Sequence, residues 1–113
     1  MTNIEICYCG KRVSSIEADG HTDYNESGLD IVCAGISSIL QTAVLGAKQL
    51  LGVETLGGIN EQTGYIRIDI PKNLGIEKAE KVDIIFQTAI LGLKDLGIGY
   101  KTNIKIKEKH DVY

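Results

Sequence analysis

The chain has 113 residues, 43% hydrophobic and 24% charged, with 12 basic and 15 acidic side chains and a formal net charge of −3. That length fits one domain, residues 1–113, able to bury a core without disulfides or a structural metal, and the mild acidity argues against broad nucleic-acid or anionic-membrane binding. No apolar run approaches a membrane span, and the start MTNIEICYCG lacks the basic and apolar regions of a signal peptide, so a cytosolic protein with no membrane partner is expected.

In chain order, Ile4, Ile6 and Tyr8 alternate with Glu5, Cys7 and Cys9, the period-two pattern of a half-buried strand. A turn at Cys9-Gly10-Lys11-Arg12 leads into a second strand, Val13 to Asp19. The first helix follows, opened by Asp30. Val32, Ile36, Ile39, Leu40, Ala43, Ala47, Leu50 and Leu51 recur at steps of three and four along it. Val53 to Leu56 begins a third strand, and glycines at 57, 58 and 64 mark the turn into a fourth carrying Ile66, Ile68 and Ile70. Pro71, the only proline, stops that strand. A second helix carries Val82, Ile85, Phe86, Ala89, Leu93 and Leu96, and a last strand carries Ile104 and Ile106. The order β-β-α-β-β-α-β predicts an α+β two-layer sandwich, with two amphipathic helices on one face of a largely antiparallel sheet. The uncovered sheet face invites a partner, so a homodimer is expected.

The helices repeat one another. QTAVLGAKQLL (41–51) and QTAILGLKDLG (87–97) are identical at seven of eleven positions, at an offset of 46. Gly46 and Gly92 fall mid-helix in both copies, where glycine costs about 1 kcal/mol relative to alanine. Close backbone approach is the expected reason.

Chemistry is sought where the copies differ. The first strand-to-helix connection, Gly20 to Leu29, is longer, polar and holds His21, and Cys33 follows at the start of the helix. The second copy has Ala79 in place of the cysteine and no histidine in its connection. A thiol in the first turn of a helix meets the positive end of the macrodipole, which favours the thiolate. An imidazole beside it can move protons to a leaving amine, and unpaired N–H groups at the helix end can hold an oxyanion. Such a site suits acyl transfer, including peptide hydrolysis. Cys33 is the candidate nucleophile, His21 the candidate general base and acid, and the Cys33 backbone N–H a candidate oxyanion donor. Asp30 is either a helix N-cap or a group that orients His21. Ser37 lies one turn beyond Cys33 and either bonds back to the helix or packs. Asp19 and Asp30 are the carboxylates near enough in sequence to complete a triad. Cys7 and Cys9, spaced CxC, read as bystanders. With only His21 and His110 besides, the chain lacks a persuasive zinc set, so no metal or cofactor is expected. His110 reads as part of a frayed, solvated tail.

GHTDYNESGLDIVCAGIS, residues 20–37, resembles the signature of the ribosomal-processing cysteine protease (Prp, YsxB-like) family: Gly-His-Ala, a short variable loop, then Gly-x-Asp-Ile-Val-Cys-Ala-Ala-Val-Ser. Gly20, His21, Gly28, Asp30, Ile31, Val32, Cys33, Ala34 and Ser37 match it, while Thr22, Gly35 and Ile36 depart from it. Gly35 weakens the helix locally. The resemblance implies a cytosolic bacterial endopeptidase that forms homodimers. It implies removal of a short N-terminal extension from the large-subunit ribosomal protein L twenty-seven, after an aromatic stretch. It also implies a Cys–His dyad at Cys33 and His21. The loop would close over the peptide with Gly20 and Gly28 as hinges. Two other readings stand beside this one: a non-enzymatic ribosome-associated assembly module with Cys33 merely buried, and a small-molecule thiol enzyme using the same dyad.

Overall fold

The computed structural model describes residues 1–20, 27–60 and 62–111. Seven elements follow the expected order: β1 (Thr2–Cys9), β2 (Arg12–Gly20), α1 (Ser27–Leu51), β3 (Leu56–Asn60), β4 (Tyr65–Asp69), α2 (Ile76–Gly99) and β5 (Ile104–His110). The strands form one sheet in the order β3-β4-β2-β1-β5. The pairs β1–β2, β2–β4 and β3–β4 are antiparallel, and β1–β5 is parallel. This is the expected α+β arrangement.

Alternation along the strands sorts the two faces of the sheet. Ile4, Ile6, Ile16, Ala18, Ile66 and Ile68 are buried on the face that meets the helices. Val32, Ile36 and Leu40 of α1 and Val82, Phe86, Ile90 and Leu93 of α2 complete that core. Phe86 is fully buried, and truncating such an aromatic to alanine costs about 3–5 kcal/mol. Asp83 pins α2 to the sheet by accepting the Val13 backbone N–H at 2.8 Å. The opposite face is charged: Arg67 bridges Glu17 at 3.1 Å and Asp69 at 3.0 Å, and Lys109 meets Glu5 at 3.0 Å.

Several local expectations change. Residues 31–51 are long and apolar enough, by length and composition, to cross a membrane, with a mean hydropathy of 1.5. The sequence reading missed this because the apolar residues are interspersed with small and polar ones. In the fold Val32, Ile36, Leu40, Ala43 and Ala47 of this segment are core residues. Leu50, expected on the apolar face, is exposed at the helix end. The third strand starts at Leu56 rather than Val53. Gly52, at φ 65°, turns the chain out of α1, and Val53 folds back, donating its N–H to the Ala47 carbonyl at 3.0 Å and burying its side chain. Gly92 faces Ile39 at 3.5 Å, as close approach requires, but a methyl group on Gly46 would meet nothing within 4 Å. Gly35 also needs its bare backbone, since an added methyl would lie 3.1 Å from Leu96 Cδ2 of α2. His110 is no frayed tail residue. It closes β5 opposite Tyr8, the two rings stacked at 4.8 Å and 9°.

Candidate active site

Three segments converge at one end of the sheet. β1 begins at Thr2, which pairs with Gly20 at the end of β2. Its N–H donates to the Asn103 carbonyl at 2.8 Å, and its side chain is buried. Gly20 donates its N–H to the carbonyl of Gly64, in the β3–β4 turn, at 3.2 Å. α1 crosses this corner and delivers Cys33, half-buried and unbridged. Its Sγ lies 3.8 Å from Thr2 Oγ1, within hydrogen-bond reach for sulfur.

Gly20 owes its place to this crowding. A methyl group there would stand 3.3 Å from Thr2 Oγ1, 3.5 Å from Cys33 Sγ and 3.5 Å from the Gly64 carbonyl oxygen. The bare backbone lets strand, turn and thiol meet. The role that the residue plays in this structure is close approach. Around the sulfur lies a small cavity of ≈ 240 Å³, bounded by Thr2, Gly20, Ser37, Ile59, Asn60 and Ile66 among others. Beyond Ser37 it adjoins a larger open groove of ≈ 830 Å³ between α1 and β3.

The remaining sequence candidates divide. His21 lies outside the described residues, as does the loop 22–26. α1 begins at Ser27, three residues before the expected start at Asp30, so Gly28 and Asp30 belong to the helix. Gly28 is therefore not a loop hinge, and Asp30 is not the N-cap; the Asp30 side chain falls outside the described residues. Cys33 consequently occupies the second turn. There the helix ladder commits its N–H to the carbonyl four residues back, and the expected oxyanion donor is withdrawn. The macrodipole also weakens beyond the first turn. The sequence places the boundary too late because Ser27 and Gly28 read as loop residues when no tertiary contact is in view. Ser37 accepts a 2.5 Å hydrogen bond from Gln41 Nε2, one turn on, and bounds both the cavity and the groove.

Asp19 pairs with Asn3 and Tyr65. It alternates with Ala18 and Gly20, so strand geometry puts its side chain on the sheet face away from the thiol. His110 pairs with Tyr8, six residues along β1 from Thr2, about 20 Å at strand rise. Thr2 was not singled out in the sequence and Gly64 was read only as a turn residue; the strand register brings both to the cavity around Cys33. No group of three or more His, Cys, Asp or Glu suited to a metal occurs among the described residues.

The family model described as "Cysteine protease Prp" matches residues 1–105. The chain is similar to the ribosomal processing cysteine protease Prp of Bacillus subtilis (strain 168), 32% identical over 96 residues, covering 85% of this chain and 86% of that protein. Two crystal structures of the essential ribosomal processing protease Prp from S. aureus share its fold. The complex with a substrate peptide has a TM-score of 0.82 and 26% identity, covering 96% of this chain and 100% of that one. The complex with a covalently linked product peptide has a TM-score of 0.78 and 27% identity, at the same coverage.

Proposed function

The chain belongs to the cysteine protease Prp family, and from that premise we propose that it is a cytosolic endopeptidase cutting a ribosomal-protein precursor with Cys33 and His21. The observation that carries this reading is the thiol at the mouth of a cavity, against the bare backbone of Gly20. His21 follows Gly20 directly, and a trans peptide holds successive Cα atoms about 3.8 Å apart. Of the two histidines, His21 is the one next in sequence to the strand end that meets the sulfur, while His110 is held at the far end of β1.

In the proposed reaction the Cys33 sulfur attacks the scissile carbonyl carbon. The new C–S bond replaces the C–N bond, and the imidazolium of His21 protonates the departing amine. Water then attacks the thioester, giving a proton to the neutral imidazole. The carboxylic acid leaves, the C–S bond breaks and the thiol is restored. The S. aureus relatives solved with a substrate peptide and with a covalently linked product peptide support a peptide as substrate. The resemblance names it as the N-terminal extension of ribosomal protein L twenty-seven. Residues 1–113 are taken to act as one domain.

The test is incubation with the extended ribosomal protein, followed by intact-mass measurement. Cys33→Ser is expected to fold and to lower the cleavage rate by more than about a thousandfold, as removal of a nucleophile does. Cleavage undiminished in Cys33→Ser would refute the assignment, and an uncut substrate with wild-type protein would favour the non-enzymatic module.

A homodimer belongs to the same reading, but the charged sheet face suits it poorly. Support comes from α2, where Ile84, Leu91 and Ile98 are 66%, 67% and 68% exposed at seven-residue intervals. Such a line of exposed apolar residues favours contact with a second copy. Sedimentation is expected to show a dimer that Leu91→Asp converts to monomer.

A further inference from the structure

We propose that Thr2 is the positioning residue for the nucleophile: its buried hydroxyl holds the Cys33 sulfur in place and donates a hydrogen bond to it once the thiol has ionised. This inference rests on the protease reading above and names what steadies the sulfur anion that the reading requires.

The need arises from where α1 begins. Cys33 lies in the second helical turn, where the macrodipole has weakened and the backbone N–H is committed to the helix ladder. A thiolate there needs another donor. Among the described residues bounding the cavity, Cys33 is the one titratable group, and Thr2, Ser37 and Asn60 carry the other polar side chains. Ser37 accepts from Gln41, and Asn60 Oδ1 accepts from the N–H groups of Gln62 and Thr63. Thr2 is the one of the three whose side chain bonds to the sulfur, with Oγ1 at 3.8 Å from Sγ.

Burial makes that contact consequential. Thr2 is 2% exposed, and a buried hydroxyl that lacks a partner is costly. Among the described residues the sulfur is its side-chain partner.

The backbone holds the hydroxyl at this spot. Thr2 shares the helix-facing side of β1 with Ile4 and Ile6. It pairs with Gly20 of β2 and with Ile104 of β5, and its N–H is tied to the Asn103 carbonyl. Its branched side chain has few rotamers. A methyl group on Gly20 would stand 3.3 Å from the hydroxyl oxygen and 3.5 Å from the sulfur, so the bare backbone leaves the two facing each other.

The chemistry follows from the hydrogen count. A neutral thiol and a hydroxyl can each donate to the other. A thiolate has no hydrogen to give, so Thr2 donates, and hydrogen bonds to a charged acceptor are about twice as strong as neutral ones. The contact therefore favours the ionised sulfur. Once the C–S bond to the substrate forms, the charge leaves the sulfur and the bond weakens. Thr2 thus acts on the attacking thiolate, before the acyl group is transferred.

The test follows the rate of iodoacetamide alkylation of Cys33 from pH 5 to 10, read by peptide-resolved mass spectrometry. In Thr2→Val the pH of half-maximal rate is expected to rise by about 0.5–1 unit, with the alkaline plateau kept or slightly raised. Thr2→Ser keeps the hydroxyl and should stay within about 0.3 unit of wild type. Cys9, exposed at the other end of β1, is the internal control and should not change. In cleavage of the extended ribosomal protein, Thr2→Val should lower kcat/KM at neutral pH about threefold to tenfold and leave KM within twofold.

An unmoved midpoint in Thr2→Val overturns the proposal. So does an equal shift in Thr2→Ser, or a lowered plateau with the midpoint in place, since both are marks of packing. A midpoint that moves as expected in a protein that cuts no substrate would leave the Thr2 assignment standing and remove the protease reading.

Discussion

A buried hydroxyl lies within hydrogen-bond reach of the sulfur on which the proposed chemistry depends. Thr2 opens β1, and its Oγ1 lies 3.8 Å from Cys33 Sγ. Neutral hydrogen bonds are worth about 0.5–1.5 kcal/mol. Thr2→Val keeps the shape and removes the hydroxyl. It is expected to slow alkylation of Cys33 by about two- to tenfold, while Thr2→Ser keeps it within twofold; peptide-resolved mass spectrometry measures both. Equal slowing in the two variants would point to packing in place of the hydrogen bond. The identity of Cys33 and His21 as candidates was legible in the sequence because one copy of the repeat carries them and the other does not. Thr2 was not legible, and Gly64 was legible only as a turn glycine, since strand register alone places them at the thiol cavity.

Elements explain the glycines and the acid response. Gly35 read as a weak point in the first helix, but a methyl group there would crowd Leu96 of α2 at 3.1 Å. Gly35→Val is expected to cost about 1–3 kcal/mol by overpacking, measured by urea unfolding, with Leu96→Ala in the same chain recovering part of the loss. On the open face of the sheet, Tyr65 donates a 2.5 Å hydrogen bond to Glu17, and Arg67 adds a second at 3.1 Å. The Tyr65 bond first, and the Arg67 contacts after it, hold the Glu17 carboxyl below its ordinary value against some opposing burial. A carboxylate whose folded pKa is depressed contributes stability that is present above its unfolded value, near 4.5, and lost as the pH falls through the folded value. Wild-type protein should therefore lose stability on acidification below that unfolded value. Tyr65→Phe should lose less, a difference read from urea midpoints at neutral and acid pH.

At the scale of the whole molecule, the sheet order β3-β4-β2-β1-β5 does two things. It places β1 and β2 side by side so that their ends, Thr2 and Gly20, meet beneath α1. It also leaves β3 at the edge, with Ile59 and Asn60 lining the thiol cavity. The same order carries β5 to the opposite edge and parallel to β1, which fixes His110 against Tyr8 and away from Cys33. The charged outer face of the sheet explains why an uncovered sheet need not be a sticky one: Glu5, Glu17, Arg67, Asp69 and Lys109 are paired there with one another.

What the sequence determined by itself was periodic or local. Alternation at two residues and recurrence at three and four produced the strands, the helices and their order, because side-chain direction follows directly from backbone period. The signature around residues 20–37 supplied the family. Tertiary structure alone decided where α1 begins, which glycines meet a neighbour, and which groups surround the sulfur. Those depend on contacts between residues distant in the chain, such as Thr2 with Cys33 and Gly35 with Leu96, and no local pattern encodes a distance across the fold.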